Sequence, residues 1–324
     1  MLSADVGDAE IRATNSGRGD QAEAVTQTAV AAAGAGSPGA GGPQRPERER
    51  LPRRGGMRRL VGSELRLVFR RRRNLALLVV LAGPPVLIGI AVRAAAPGHG
   101  DGPAFLGRIT GNGLFLVYTA LTVCLPLFLP LAVGVVAGDS ISGEAGTGTL
   151  RYLLTVPVGR TRLLVAKAAG VVAFAAASVA VVAVSGLVTG AALFGVHDLT
   201  LLSGDTVSVA NGLLRTLGVA VYVLVALLGL IAIGLFISTL TEVSIAAMAA
   251  TVAVTIIAEV LDAVPQIGSV RSALFTHNWL GYGDLLRPNV DIGNLLSASS
   301  LQLAYVAVFG ALAWARFTSK DITS

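Results

Sequence analysis

Few side chains in this sequence are of the types that do chemistry, and most of those lie inside long apolar runs. Glu259 and Asp262 stand three residues apart near the end of one run, a spacing that puts them on one face of a helix. The pair reads in two ways. It is an acidic gate, a mouth that attracts cations, or it is two carboxylates that end a helix at the lipid headgroups. There the cost is smaller than the roughly 2.5–3.5 kcal/mol of a charge at the bilayer centre. Lys167 lies early in another run, where its long stem lets the ammonium snorkel to the membrane surface. His99, His197 and His277 are scattered without ligand spacing, and Cys124 is the one cysteine. Neither a disulfide framework nor a cysteine zinc site can be built from them, and no metal is expected.

Catalytic motifs are missing in the same way. Gly143, Gly146 and Gly148 suggest a phosphate loop, yet no Gly-Lys pair occurs anywhere in the chain. Hydrolysis of a nucleotide by a P-loop mechanism is therefore excluded. Gly34, Gly36 and Gly39 match a dinucleotide fingerprint by letters, but they lie in a low-complexity tract with no preceding strand. Neither Gly-x-Ser-x-Gly nor His-Glu-x-x-His is present, which removes the commonest intramembrane and hydrolytic enzymes.

The elements that would position these residues are membrane spans. Of 324 residues, 53% are hydrophobic and 14% charged, with mean hydropathy +0.72, against about a quarter charged in soluble proteins. A helix needs about 20 apolar residues to cross the bilayer core. Six runs qualify: residues 75–92, 113–138, 163–195, 213–238, 243–261 and 301–317. Pro84–Pro85 and the pair Pro126 and Pro130 should kink the first and second, which membrane helices tolerate when neighbours satisfy the freed backbone groups. Small residues such as Ala173 and Ser178 crowd the third span and favour close helix packing. Segment 263–298, with Trp279 and Tyr282, reads as a partly buried extracellular cap.

The net charge of +6 belongs to one end of the chain. Residues 1–73 hold 14 arginines and 8 carboxylates, and residues 74–324 hold 11 charges of each sign. Such a distribution does not describe a nucleic-acid-binding fold. Across the six spans, 13 basic residues fall on one side and 5 on the other, so both termini are expected in the cytoplasm. The polar stretch ahead of the first span is too long for a cleaved signal peptide.

Three segments precede or interrupt the spans informatively. Residues 1–55, rich in Ala, Gly and Pro, read as a disordered tail. Met57, Leu60, Val61, Leu65 and Val68 recur at helical spacing with Arg58, Arg59, Arg66 and Arg70 mostly opposite. This is a basic amphipathic helix lying on the inner leaflet. Glu64 falls on its apolar side, either as an acid paired with a nearby arginine or as a contact for a cytoplasmic partner. Residues 139–162 form a loop of over 20 residues where a bundle usually uses 2–8. Its glycines permit tight turns, and Thr147 or Thr149 can cap a short helix. Leu150, Leu153 and Leu154 share one face of that helix, Arg151 lies off it, Pro157 and Gly159 stop it, and Thr161 can cap the third span. So patterned a loop is expected to dock a partner.

Taken together, the span count, the lead-in helix and this loop resemble the permease subunits of type-2 ATP-binding-cassette (ABC) transporters. The matching letters are Ser142-Gly143-Glu144, Gly148-Thr149-Leu150, Leu153-Leu154, Pro157-Val158 and Arg160, with Ser63-Glu64-Leu65 ahead of Arg70–Arg73. The resemblance covers about residues 57–320. It implies an all-α polytopic six-span half-transporter, with a connecting helix at 56–73 and a permease domain at 74–324, and the tail 1–55, read from composition, has no counterpart in it. It also implies a dimer with a second permease copy or paralogue, docked to separate cytoplasmic ATPase subunits that bind ATP and Mg. Residues 139–160 would be the coupling region, using Glu144, Leu150, Arg151, Leu153, Leu154, Pro157 and Arg160. Glu64, Arg66 and Arg70 would mark the connecting helix, lying on membrane lipid and leaning on the ATPase. Export is expected by analogy alone.

Two rivals stand beside this reading. One is a secondary transporter with Glu259 and Asp262 as its ion site, which favours carboxylates near the midplane and a repeat of the two halves. The other is a scaffold or sensor that transports nothing.

Overall fold

Long apolar runs have one stable form in a bilayer, because each backbone N–H and C=O must be satisfied within its own segment. The computed structural model describes residues 56–95, 112–146, 159–196, 198–200, 206–287 and 292–319. The tail 1–55 lies outside them, as do Leu150, Arg151, Leu153, Leu154 and Pro157 of the loop. The first helix, α1 (Gly56–Arg70), is the amphipathic one. Then come α2 (Arg72–Leu81), α3 (Gly83–Ala95), α4 (Leu114–Cys124), α5 (Phe128–Gly146) and α6 (Arg160–Phe194). A two-residue hairpin, β1 (Leu199–Thr200) with β2 (Thr206–Val207), precedes α7 (Val209–Ala226), α8 (Leu228–Leu240) and α9 (Ser244–Asp262). The short turns Pro265–Ile267, α10 (Ser269–Ala273) and Trp279–Leu286 lead to α11 (Ile292–Ser319).

Five helical stretches are long and apolar enough to span a membrane, and the bent pair α4–α5 makes six. The protein is an all-α polytopic membrane protein. Its outward surface is apolar, with Val79 and Ile245 about three-quarters exposed (73% and 75%), as lipid contact requires. At the centre stands the 35-residue α6, packed against α1, α3, α4 and α5. α8 fills the other side of the core between α5, α9 and α11. Close approach depends on glycine where α4 begins against α6: a Cβ on Gly113 would lie 2.3 Å from the Gly190 carbonyl carbon.

The kinks divide between the two proline pairs. Pro126 and Pro130 break the second span, with 54° between α4 and α5, the expected result of missing N–H donors. Pro84–Pro85 do much less. They sit in the first turn of α3, where the missing N–H groups are orphans anyway. The Ala82 N–H still reaches the carbonyls of Leu78 and Val79, and 72–95 runs on as one span.

Two boundaries correct the sequence reading. Of the loop expected at 139–162, Asp139–Gly146 instead continue α5 for two more turns. Gly143 and Gly146 are thus helical, not turn residues. Thr161 does not cap the third span: Gly159 holds the cap position, and the Thr161 hydroxyl accepts from Trp314 Nε1 at 2.9 Å.

Candidate functional site

The spans alternate in direction, so one end of the bundle gathers the start of α2, the end of α5, the starts of α6 and α9, and the end of α11. At this basic end a charged cluster is buried. Lys167, 2% exposed, sits on the third turn of α6. Its Nζ lies 2.6 Å from Glu144 Oε1 at the end of α5 and 3.6 Å from Glu64 Oε1 on α1. Both carboxylates are buried too, at 6% and 7% exposure. Three charges withdrawn from water persist only when paired. One ammonium therefore fastens three elements that have no covalent reason to meet.

Local sequence explains the meeting. Gly170, one turn beyond Lys167, leaves room for α1: a Cβ there would come within 3.4 Å of Val68 and 3.8 Å of Glu64. Glu64 falls on the apolar stripe of α1, so docking that stripe on α6 carries it inward. Its ion-pair partner is Lys167, where the sequence offered a nearby arginine or a cytoplasmic partner, and little of it is exposed. Burial pushes the Glu64 carboxyl above the usual carboxylate range. Lys167 opposes that shift, and Glu144 adds to it. Arg66 and Arg70, by contrast, are exposed as the amphipathic pattern requires.

A second knot lies beside the first. Asp139, five residues before Glu144, accepts from Arg73 Nη2 at 2.6 Å and from Arg71 Nη1. The Ser244 hydroxyl at the start of α9 donates to its other oxygen. Asn74 Nδ2 donates to the Val68 carbonyl at 2.9 Å, fixing the elbow between α1 and α2. Ser238 at the end of α8 accepts from the N–H groups of Ile141 and Ser142 at 3.0 and 2.9 Å. The end of α5 is thereby tied to α1, α2, α6, α8 and α9. The crevice among these groups encloses about 20 Å³, little more than the space one water fills. In this arrangement the groups leave room for no more than a water and hold the helices against one another.

Glu144, expected beside a partner's surface, is instead turned inward onto Lys167. Of the loop residues singled out with it, Arg160 is the other one described. Its Nη1 donates to the Thr318 carbonyl at 2.5 Å, joining the start of α6 to the end of α11.

The pair Glu259 and Asp262 comes at the far end of α9, where the structure adds partners that the sequence reading missed. Asp262 Oδ1 lies 2.7 Å from His277 Nδ1 and 3.2 Å from Arg271 Nε. These bonds tie the end of α9 to the segment that follows. No local spacing announces them, since Asp262 ends α9, Arg271 lies in the short α10 and His277 in the turn beyond it. That stretch is further held by Tyr222, whose hydroxyl donates to the Asn278 carbonyl at 2.6 Å, and by Gln302 Nε2, which donates to the Phe275 carbonyl at 2.7 Å. Among the described residues no three His, Cys, Asp or Glu side chains gather as a metal site.

No curated protein matches the chain in sequence. Residues 99–323, which take in Glu144, Lys167 and every helix from α4 onward, match the family described as "Protein of unknown function (DUF2705)". The chain belongs to that family.

Proposed function

We propose that the protein is the membrane-spanning permease subunit of an ATP-driven ABC transporter, oriented with its basic end and both termini in the cytoplasm of a plasma membrane. One observation carries the reading: buried Lys167 joins Glu64 of the basic amphipathic helix to Glu144, two residues before the end of α5 and the patterned loop beyond. A push on residues 147–158 would pass through the end of α5 into α1 and α6 as one body. Such a linkage suits a protein whose fuel is used outside the membrane. ATP and Mg would be held by a separate cytoplasmic ATPase, since this chain has no P-loop. Two permease chains, identical or related, would enclose the path, and export is favoured by analogy alone. The rival ion-coupled reading is weakened by Asp262, whose charge already meets Arg271 and His277.

The test uses ATP hydrolysis by the assembled complex. Glu144→Gln keeps the side-chain shape and leaves Lys167 with Glu64. Losing a charge-assisted hydrogen bond is worth about 1.5–3 kcal/mol, so permease-stimulated hydrolysis should drop about ten-fold or more while membrane insertion is unchanged. Normal stimulation in this variant would remove Glu144 from the coupling path.

A further inference from the structure

Near the basic end, α6 stands apart from the packed pair α8 and α11. Small residues stand where the helices would otherwise touch: Ala168, Ala232, Gly310 and Ala313. The crevice left between them encloses about 280 Å³ and is walled almost wholly by aliphatic groups. An apolar cavity of roughly 150 Å³ in a soluble protein takes up benzene, so this space suits a hydrocarbon chain of roughly ten carbons. The slot opens sideways, with Val165 and Trp314 about half exposed at its rim. A Cβ built on Gly310 meets nothing within 4 Å, so the space reaches the backbone of α11.

At one end the slot reaches Thr161 and Trp314, and arginines stand beside both in the chain. Trp314 Nε1 donates to Thr161 Oγ1 there, the wet end of an indole set at an interface. Next to that bond, the first turn of α6 carries Arg160 and Arg162 with no acid, and the last turn of α11 carries Arg316 with no acid. Arg160 reaches across to the Thr318 carbonyl, while Arg162 and Arg316 are exposed. An apolar slot with a cationic rim at one end has the complementary shape and charge of an anionic phospholipid.

We propose that this crevice holds one acyl chain of an anionic phospholipid, with the phosphate headgroup against Arg162 and Arg316. The site depends on the protein being in a membrane and not on any ATPase partner, so it stands or falls apart from the function proposed above.

Bromine on a lipid chain quenches a tryptophan that it touches, and the sequence has only Trp279 and Trp314. The full chain carrying Trp279→Phe, reconstituted in phosphatidylcholine vesicles, makes Trp314 the reporter. Brominated phosphatidylglycerol should quench it at a mole fraction about ten-fold below that needed for brominated phosphatidylcholine, given two arginines at an anionic headgroup. Arg162→Glu combined with Arg316→Glu should erase that difference. Gly310→Phe, which fills the slot, should abolish the preference without touching the rim. The unsubstituted chain gives a second readout if Trp279→Phe does not fold: released from equimolar vesicles, it should retain phosphatidylglycerol in native mass spectrometry. Equal quenching by the two lipids would overturn the proposal. So would a preference that survives either variant, or a Trp314 that neither lipid reaches because a second copy of the chain covers the slot.

Discussion

Lys167→Ala should cost about 3–5 kcal/mol of stability, the usual penalty for removing one partner of a buried ion cluster. Folded proteins have only about 5–15 kcal/mol in total, so the variant should accumulate poorly and denature at a much lower temperature in detergent. The cause is specific. Glu64 and Glu144 would remain at 7% and 6% exposure with their shared cation gone. Replacing Lys167, Glu64 and Glu144 all by Met removes the charges together, and such apolar replacements are often neutral or stabilising. That triple variant should recover most of the stability and still lose coupling, since its three groups no longer attract. A Lys167→Ala protein as stable as the parent would mean that the cluster does not hold α1, α5 and α6 together.

Leu150→Asp should detach the ATPase subunit. Leu150, Leu153 and Leu154 share one face of the short helix expected from the sequence, and an apolar anchor at the centre of an interface is typically worth 2 kcal/mol or more. A carboxylate in its place adds the cost of burying an unpaired charge. Affinity for the soluble subunit should fall at least about thirty-fold, measured by retention of that subunit on the immobilised permease. The spans should insert normally, because residue 150 lies outside every apolar run. Undiminished retention would place the docking surface elsewhere.

Much of the bundle was legible because lipid imposes a length and a composition on each span. The apolar runs located all six, and Pro126 with Pro130 marked the break in the second. Boundaries went astray where polar side chains are satisfied inside the bundle. Counting apolar residues stopped the second span at Gly138, yet Asp139, Ser142 and Glu144 continue the helix. Asp139 is neutralised by Arg71 and Arg73, and Ser142 Oγ returns to the Gly138 carbonyl at 2.7 Å. Glu144 is neutralised by Lys167. The last span likewise starts at Ile292 and not near residue 301, because serines such as Ser299 bond back to carbonyls one turn earlier.

The charged site was legible in its members and not in its pairing. Glu64 on an apolar stripe and Lys167 inside an apolar run are each anomalous, and two anomalies of opposite sign are a signal that they meet. That inference needs α1 to fold back onto α6, a contact between elements far apart in the chain that no periodicity encodes. Asp262 shows the same limit: the sequence offers a gate or a helix end at the headgroups, and neither reading names His277 and Arg271, which the residues after α9 bring to it.

The most direct measurement is to purify the tagged protein gently from its native membrane and identify the chains that come with it by mass spectrometry. The expected result is a near-stoichiometric soluble subunit carrying a Gly-x-x-x-x-Gly-Lys-Ser/Thr loop. A six-span protein that arrives with no such subunit, under conditions that keep known ABC complexes together, would contradict the transporter reading and return attention to Glu259 and Asp262.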